Sequence, residues 1–121
     1  MYKILLVEDD LTTRQMLKMV LEKVGHTVFE LDDGRKVFEL IGDEAVDVII
    51  TDIFMPHQDG IEIISSIRKL LQDLPIIAIS GGDSIAHDTT MLDIAGEMGA
   101  DAIMKKPIEL NELLRKIVEV I

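Results

Sequence analysis

Short, nearly continuous apolar runs alternate with amphipathic stretches along the 121-residue chain, and this alternation restricts its fold more than any other feature. The runs have the length and composition of strands that are buried on both faces. They are Lys3–Val7, Thr27–Leu31, Val46–Thr51, Pro75–Ser80 and Ala102–Met104. Strands that alternate regularly with helices over short connections predict a parallel sheet covered by helices on both sides.

Four of the intervening stretches have an apolar face at helical spacing. The faces are Leu17, Val20, Leu21 and Val24; Val37, Leu40 and Ile41; Ile61, Ile64, Ile67 and Leu71; and Leu110, Leu113, Leu114, Ile117, Val118 and Ile121. A further helix is predicted between Asp88 and Met98, where glycines blur the pattern. We therefore expect one α/β domain over residues 1–121, a doubly wound five-stranded parallel sheet of the flavodoxin-like (βα)5 type with strand order 2-1-3-4-5.

The charge and composition of the chain exclude several classes of function. With 12 basic and 23 acidic residues the net charge is −11, which does not suit direct binding to nucleic acid or to an anionic membrane. The absence of cysteine excludes disulfides, thiolate metal sites and a cysteine nucleophile. The first apolar run ends at Glu8, too soon for a signal peptide or a membrane span, so a cytoplasmic protein is expected.

Charged and hydroxyl side chains follow the predicted strands at the edge where doubly wound sheets bind ligands. Glu8–Asp10 follow the first strand, Asp52 the third, Ser80 the fourth and Lys105–Lys106 the fifth. Two like charges about 4 Å apart cost roughly 4 kcal/mol at an effective dielectric near 20. Acids that converge here must therefore take up a proton, pair with a lysine or bind a cation.

Among cations, Mg²⁺ suits such a set best, because it prefers one or two carboxylates together with water. The three histidines are scattered and do not indicate zinc. Asp10 directly precedes a predicted helix, so N-terminal capping is an alternative role for it. Neighbouring side chains on a strand point to opposite faces, so Lys106, held before Pro107, is favoured over Lys105.

These residues occur in an order that is typical of one family. The chain contains an acidic group after strand one, Asp-Ile-Phe-Met-Pro-His-Gln-Asp-Gly from Asp52, a hydroxyl after strand four and Lys-Pro after strand five. It thereby resembles, over nearly its whole length, the receiver domain of two-component response regulators, in particular the chemotaxis regulators.

The resemblance implies a role for each of the matching residues. Asp52 would be the nucleophile that accepts a phosphoryl group, Lys106 would pair with the phosphoryl oxygens, and the Ser80 hydroxyl would donate to one of them. Glu8 and Asp9 would hold Mg²⁺ together with Asp52 and the backbone carbonyl of Phe54. Such a domain is a phosphoacceptor that assists its own phosphorylation and dephosphorylation, rather than an enzyme acting on other substrates.

The family pattern is broken at two places. Ser80 is followed by Gly81 and Gly82, and Ile103 stands where many relatives have an aromatic switch residue. The Phe54 side chain is expected to flank the path of attacking water and so to slow loss of the phosphoryl group.

The resemblance also implies partners and leaves two alternatives. A sensor histidine kinase or a histidine phosphotransfer protein would supply the phosphoryl group, and a downstream protein or a fused output domain would read it on the surface formed by the fourth helix, the fifth strand and the last helix. One alternative is a receiver-like module that binds a partner without phosphorylation. The other is a phosphohydrolase, which is disfavoured because Phe54 occupies the position of the required second aspartate.

Overall fold

Five parallel strands form a sheet in the order β2-β1-β3-β4-β5, which confirms the predicted fold class and strand order. The computed structural model describes residues 1–55, 58–80, 96 and 99–121, and of residues 54, 55 and 58–61 it describes only the backbone. The strands are β1 (Lys3–Val7), β2 (Thr27–Leu31), β3 (Val48–Asp52), β4 (Ile76–Ser80) and β5 (Ala102–Lys105).

Helices connect the strands and cover both faces of the sheet. They are α1 (Leu11–Lys23), α2 (Val37–Asp43) after a short 3-10 turn (Gly34–Lys36), α3 (Gly60–Leu70) and a C-terminal helix (Leu110–Val120). The helix predicted between residues 88 and 98 lies outside the described residues. Of the helices that are described, none is long and apolar enough to cross a membrane.

The alternation of side chains along the central strands divides the core into two layers. Leu5 and Val7 point to the layer that contains α2 and α3, whereas Ile4 and Leu6 point to the layer that contains α1 and the C-terminal helix. All four side chains are fully buried. Because helices cover both faces of the sheet, the side chains on both faces of each central strand are apolar. The strands therefore appear in the sequence as continuous apolar runs.

Four residues assigned to the apolar helical faces are exposed instead. One of them is Ile121, which caps the end of the C-terminal helix. Val24 caps the end of α1, and Leu71 follows the last residue of α3, so neither continues its helix. Val118 lies within the C-terminal helix but is 62% exposed. Successive helical residues are separated by about 100° because there are 3.6 residues per turn. The turn that buries Ile117 therefore rotates Val118 toward solvent.

Backbone hydrogen bonds hold the carboxyl ends of the strands at one edge. The Glu8 amide donates to the Leu31 carbonyl at 3.0 Å, and the Lys106 amide donates to the Ser80 carbonyl at 2.8 Å. A two-residue antiparallel hairpin, Phe54–Met55 with Gln58–Asp59, follows β3 directly. The segments that follow β1, β3 and β5 therefore all start at this edge of the sheet.

Candidate functional site

Among the residues that the structure describes, three carboxylates meet at the carboxyl edge of the sheet. Oxygen atoms of Glu8, Asp9 and Asp52 all lie within 4.8 Å of one another. Glu8 and Asp52 are buried, with 2% and 4% of their surface exposed, whereas Asp9 is exposed. The structure thus brings together the acids of β1 and β3 that the sequence placed at two separate strand ends.

One lysine bridges the two buried acids. The Lys106 Nζ donates to Asp52 Oδ2 at 3.1 Å and forms an ion pair with Glu8 Oε1. The Lys106–Pro107 peptide bond is cis. Lys105 ends β5 opposite Ser80 and is exposed. Of the two adjacent lysines, Lys106 is therefore the one that reaches the acids.

Burial and crowding shift the titration of this cluster. Burial, reinforced by the hydrogen bond with Asp52, raises the pKa of Glu8 from 4.5 to about 8, although Lys106 opposes the shift. Burial lowers the pKa of Lys106, but its bond with Glu8 and the charges of Asp52 and Glu8 outweigh this, so that its pKa is raised. The pocket thus relieves the repulsion between its acids by pairing with lysine and by favouring a proton on Glu8.

The pocket also suits a hard divalent cation. Glu8 Oε2 is buried and has no hydrogen-bond partner among the described residues. A buried carboxylate oxygen without a partner is costly, and a cation would satisfy it. The three converging acids offer only oxygen ligands, one of them from an exposed side chain, which fits the preference of Mg²⁺ for carboxylates and water.

The remaining candidate residues lie around this pocket. The Asp10 carboxylate accepts from the Thr13 backbone amide at 2.9 Å and from the Thr13 hydroxyl at 2.6 Å, so Asp10 caps α1. These hydrogen bonds lower the pKa of Asp10. Ser80 is fully buried at the end of β4. The backbone of Phe54 follows Ile53 at the start of the hairpin, and its side chain lies outside the described residues.

One residue beside the site, Arg14, was not predicted from the sequence. The Arg14 Nη1 donates to the Glu8 carbonyl at 2.9 Å, and the Arg14 Nε donates to Glu30 Oε1 at 3.2 Å. An arginine one turn into the helix that follows an acidic cluster is a signal that could have indicated this contact.

Comparisons with known proteins agree with the geometry. The protein-family model for the response regulator receiver domain matches residues 4–118 of this chain. The response regulator MprA of Mycolicibacterium vanbaalenii is 35% identical over 115 residues, which are 95% of this chain and 48% of that protein. The MprA protein of Mycobacterium leprae is 34% identical over 115 residues, which are 95% of this chain and 49% of that protein. The chain thus spans about half the length of the curated relatives it matches.

Solved structures match over the full chain. The chemotaxis response regulator CheY4 of Vibrio cholerae superposes with a TM-score of 0.85 at 28% identity, covering 100% of this chain and 99% of that one. The receiver domain of the Francisella response regulator 1452 gives a TM-score of 0.86 at 28% identity, covering 99% and 96%. The chain belongs to the response regulator receiver domain family of two-component systems.

Proposed function

We propose that this receiver domain is a phosphoacceptor switch in which Asp52 takes a phosphoryl group from a phosphohistidine. The observation that carries the proposal is the contact of Lys106 with both Asp52 and Glu8 beside Asp9. A nucleophile, a cation-binding acid pair and a fixed ammonium are the groups that phosphoryl transfer requires, because its transition state is stabilised mainly by positioning and charge.

The transfer uses the Asp52 carboxylate as the nucleophile. A carboxylate oxygen attacks the phosphorus, a P–O bond forms and the P–N bond breaks, and the imidazole nitrogen of the donor keeps the electron pair. Lys106 lies 3.1 Å from Asp52 Oδ2, close enough to neutralise negative charge that arrives on the phosphoryl oxygens. The donor would be a sensor histidine kinase or a histidine phosphotransfer protein.

Glu8, Asp9, Asp52 and the backbone carbonyl of Phe54 would hold the metal. When bound there, Mg²⁺ would supply positive charge for the phosphoryl oxygens and for the crowded acids. The buried Glu8 Oε2, for which the described part of the chain offers no hydrogen-bond partner, supports this assignment. Asp9 complements it, since its exposed carboxylate adds a ligand while leaving the cation open to water.

The modified aspartate would be read through neighbouring residues. Ser80 is buried at the end of β4, next to β5 in the sheet, and its hydroxyl would donate to a phosphoryl oxygen. The response would extend to β5, the C-terminal helix and the predicted helix between residues 88 and 98. Ile103 is 37% exposed on β5, where it can contact a downstream protein or an output domain. The phosphoryl group would shift the population between two conformations by binding one of them better.

Intact-mass measurement after incubation with a small-molecule phosphodonor and Mg²⁺ tests the proposal. The wild type should gain one phosphoryl group, and Asp52→Asn should gain none. Asp43→Asn, which alters an exposed acid at the end of α2, is the matched control and should be labelled like the wild type. Labelling of Asp52→Asn would remove Asp52 from this role. Absence of labelling in every protein would favour the partner-binding module that works without phosphorylation.

A further inference from the structure

The backbone of Glu8 is held on both sides by groups outside the acid pocket. Its amide donates to the Leu31 carbonyl at 3.0 Å, and its carbonyl accepts from Arg14 Nη1 at 2.9 Å. The first contact belongs to the edge of the sheet, whereas the second is made by a side chain from the first turn of α1. The direction of the chain as it leaves β1 therefore depends partly on Arg14.

The Arg14 side chain is itself fixed. Its Nε donates to Glu30 Oε1 at 3.2 Å, and only 13% of the side chain is exposed. Glu30 Oε2 also lies 3.8 Å from the Lys18 Nζ, which in turn bonds Glu22. A guanidinium that makes two directed contacts at once is more rigid than a single surface ion pair.

Asp9 lies between two restrained residues. The peptide of Glu8 is held as described, and the side chain of Asp10 is committed to Thr13 as the cap of α1. A change in the Glu8 peptide would rotate the Asp9 carboxylate and the Glu8 side chain together. Oxygen atoms of the three carboxylates lie within 4.8 Å of one another, and this depends on the backbone conformation of the segment.

We propose that Arg14, held by Glu30, is a positioning residue that sets the direction of Glu8 and Asp9 toward a bound cation. The inference rests on the proposed function, because it takes these acids to be the Mg²⁺ ligands. Arg14 touches the backbone of one ligand and not the cation, so it acts through Glu8. Groups that orient metal ligands in this way alter metal affinity although they do not bind the metal themselves.

Electrostatics alone gives the opposite expectation. Arg14 is a positive charge near a site for a cation, and its removal should by charge repulsion tighten Mg²⁺ binding. Its removal should weaken binding if its main effect is to orient the ligands. The sign of the change therefore separates positioning from charge, which a simple loss of activity would not do.

Calorimetric titration of the unphosphorylated domain with Mg²⁺ measures this sign without any phosphodonor. Arg14→Gln should weaken Mg²⁺ affinity about tenfold, at the lower end of the range for groups that orient metal ligands. Arg115→Gln is the matched control, since it removes one charge from an exposed arginine of the C-terminal helix, and its affinity should equal that of the wild type. Arg14→Lys keeps the charge but replaces the two-sided guanidinium by one nitrogen, and should show an intermediate loss.

Amide hydrogen exchange supplies a second measurement. The Glu8 amide should exchange faster in Arg14→Gln than in the wild type or in Arg115→Gln, because one of the two hydrogen bonds that restrain the Glu8 backbone is lost. If the wild type binds Mg²⁺ and Arg14→Gln binds it equally or more tightly, the positioning role is overturned while the proposed function stands. If the wild type binds no Mg²⁺, both are overturned.

Discussion

Glu8 and Asp52 are both buried and contact the same ammonium, that of Lys106, so two acids are crowded around one lysine. Burial already raises the pKa of Glu8 to about 8. Glu8→Gln keeps the size of the side chain and leaves one acid with one lysine. In Mg²⁺-free buffer we expect this variant to raise the free energy of unfolding by about 1–2 kcal/mol, as relief of buried charge does elsewhere. Urea denaturation measures the change.

The pH dependence of the same variant provides its control. Because the native pKa of Glu8 lies above the unfolded value of 4.5, folding takes up a proton, and this stabilisation is full below pH 4.5 and is lost as the pH rises to about 8. The difference in free energy of unfolding between the wild type and Glu8→Gln should therefore change between pH 4.5 and about pH 8. Glu22→Gln, an exposed acid paired with Lys18, should change stability by less than about 0.5 kcal/mol. Lower stability of Glu8→Gln at neutral pH would contradict the prediction.

Individual side chains were predictable where a local rule applied. The helix start after Asp10 indicated a cap, and the alternation along a strand separated Lys106 from Lys105. The contacts of Arg14 and Glu30 were not predictable, because they join α1 to β2 across 16 residues of sequence and depend on the final packing.

At the scale of elements, Arg68 ties α3 to the segment that enters β5. Its Nε and Nη2 donate to the Gly99 carbonyl at 3.1 and 2.6 Å, and Nη2 also bonds Asp101 at 2.9 Å. Asp101 Oδ2 accepts from the Ile76 amide at the start of β4. Arg68→Met should lower the free energy of unfolding by about 1–3 kcal/mol, because the partly buried Gly99 carbonyl and the Asp101 carboxylate both lose their donor.

Urea denaturation measures this loss as well. Arg115→Met removes the same charge from a side chain that is 65% exposed, and it should cost less than about 0.5 kcal/mol. A similar small effect at both positions would mean that the Arg68 contacts do not stabilise the junction. Gly99 has a φ of +123°, and a Cβ there would meet the Arg68 side chain at 3.0 Å, so the segment is shaped to accept this arginine.

The elements themselves were largely readable from the sequence, and their boundaries less so. The predicted ranges of β1 and β2 match the structure. β3 begins at Val48 rather than Val46, because Asp47 binds both backbone groups of Lys3 before the ladder starts. β4 begins after Pro75, which has no amide to donate. The hairpin after β3 has two-residue strands, too short for a periodic signal.

At the scale of the whole molecule, a net charge of −11 makes every salt stabilising to some degree, since counterions screen self-repulsion. A magnesium site is therefore identified by greater stabilisation of the folded protein in a magnesium salt than in a monovalent salt at equal ionic strength. At tenfold excess over its dissociation constant, a cation that binds only the native state adds about 1.4 kcal/mol. For a domain of this size, that gain raises the midpoint of thermal unfolding by about 5 °C.

Asp9→Asn should lose most of this additional stabilisation, because it removes one carboxylate from the converging set while leaving the buried pair with Lys106 intact. Asp43→Asn removes the same charge at the end of α2 and should keep the full magnesium effect. Thermal unfolding of the three proteins in MgCl₂ and in NaCl of matched ionic strength makes the comparison. Both variants lose one negative charge, and they differ only in where that charge lies. If MgCl₂ stabilised all three proteins equally more than NaCl does, the cation would therefore bind away from this pocket.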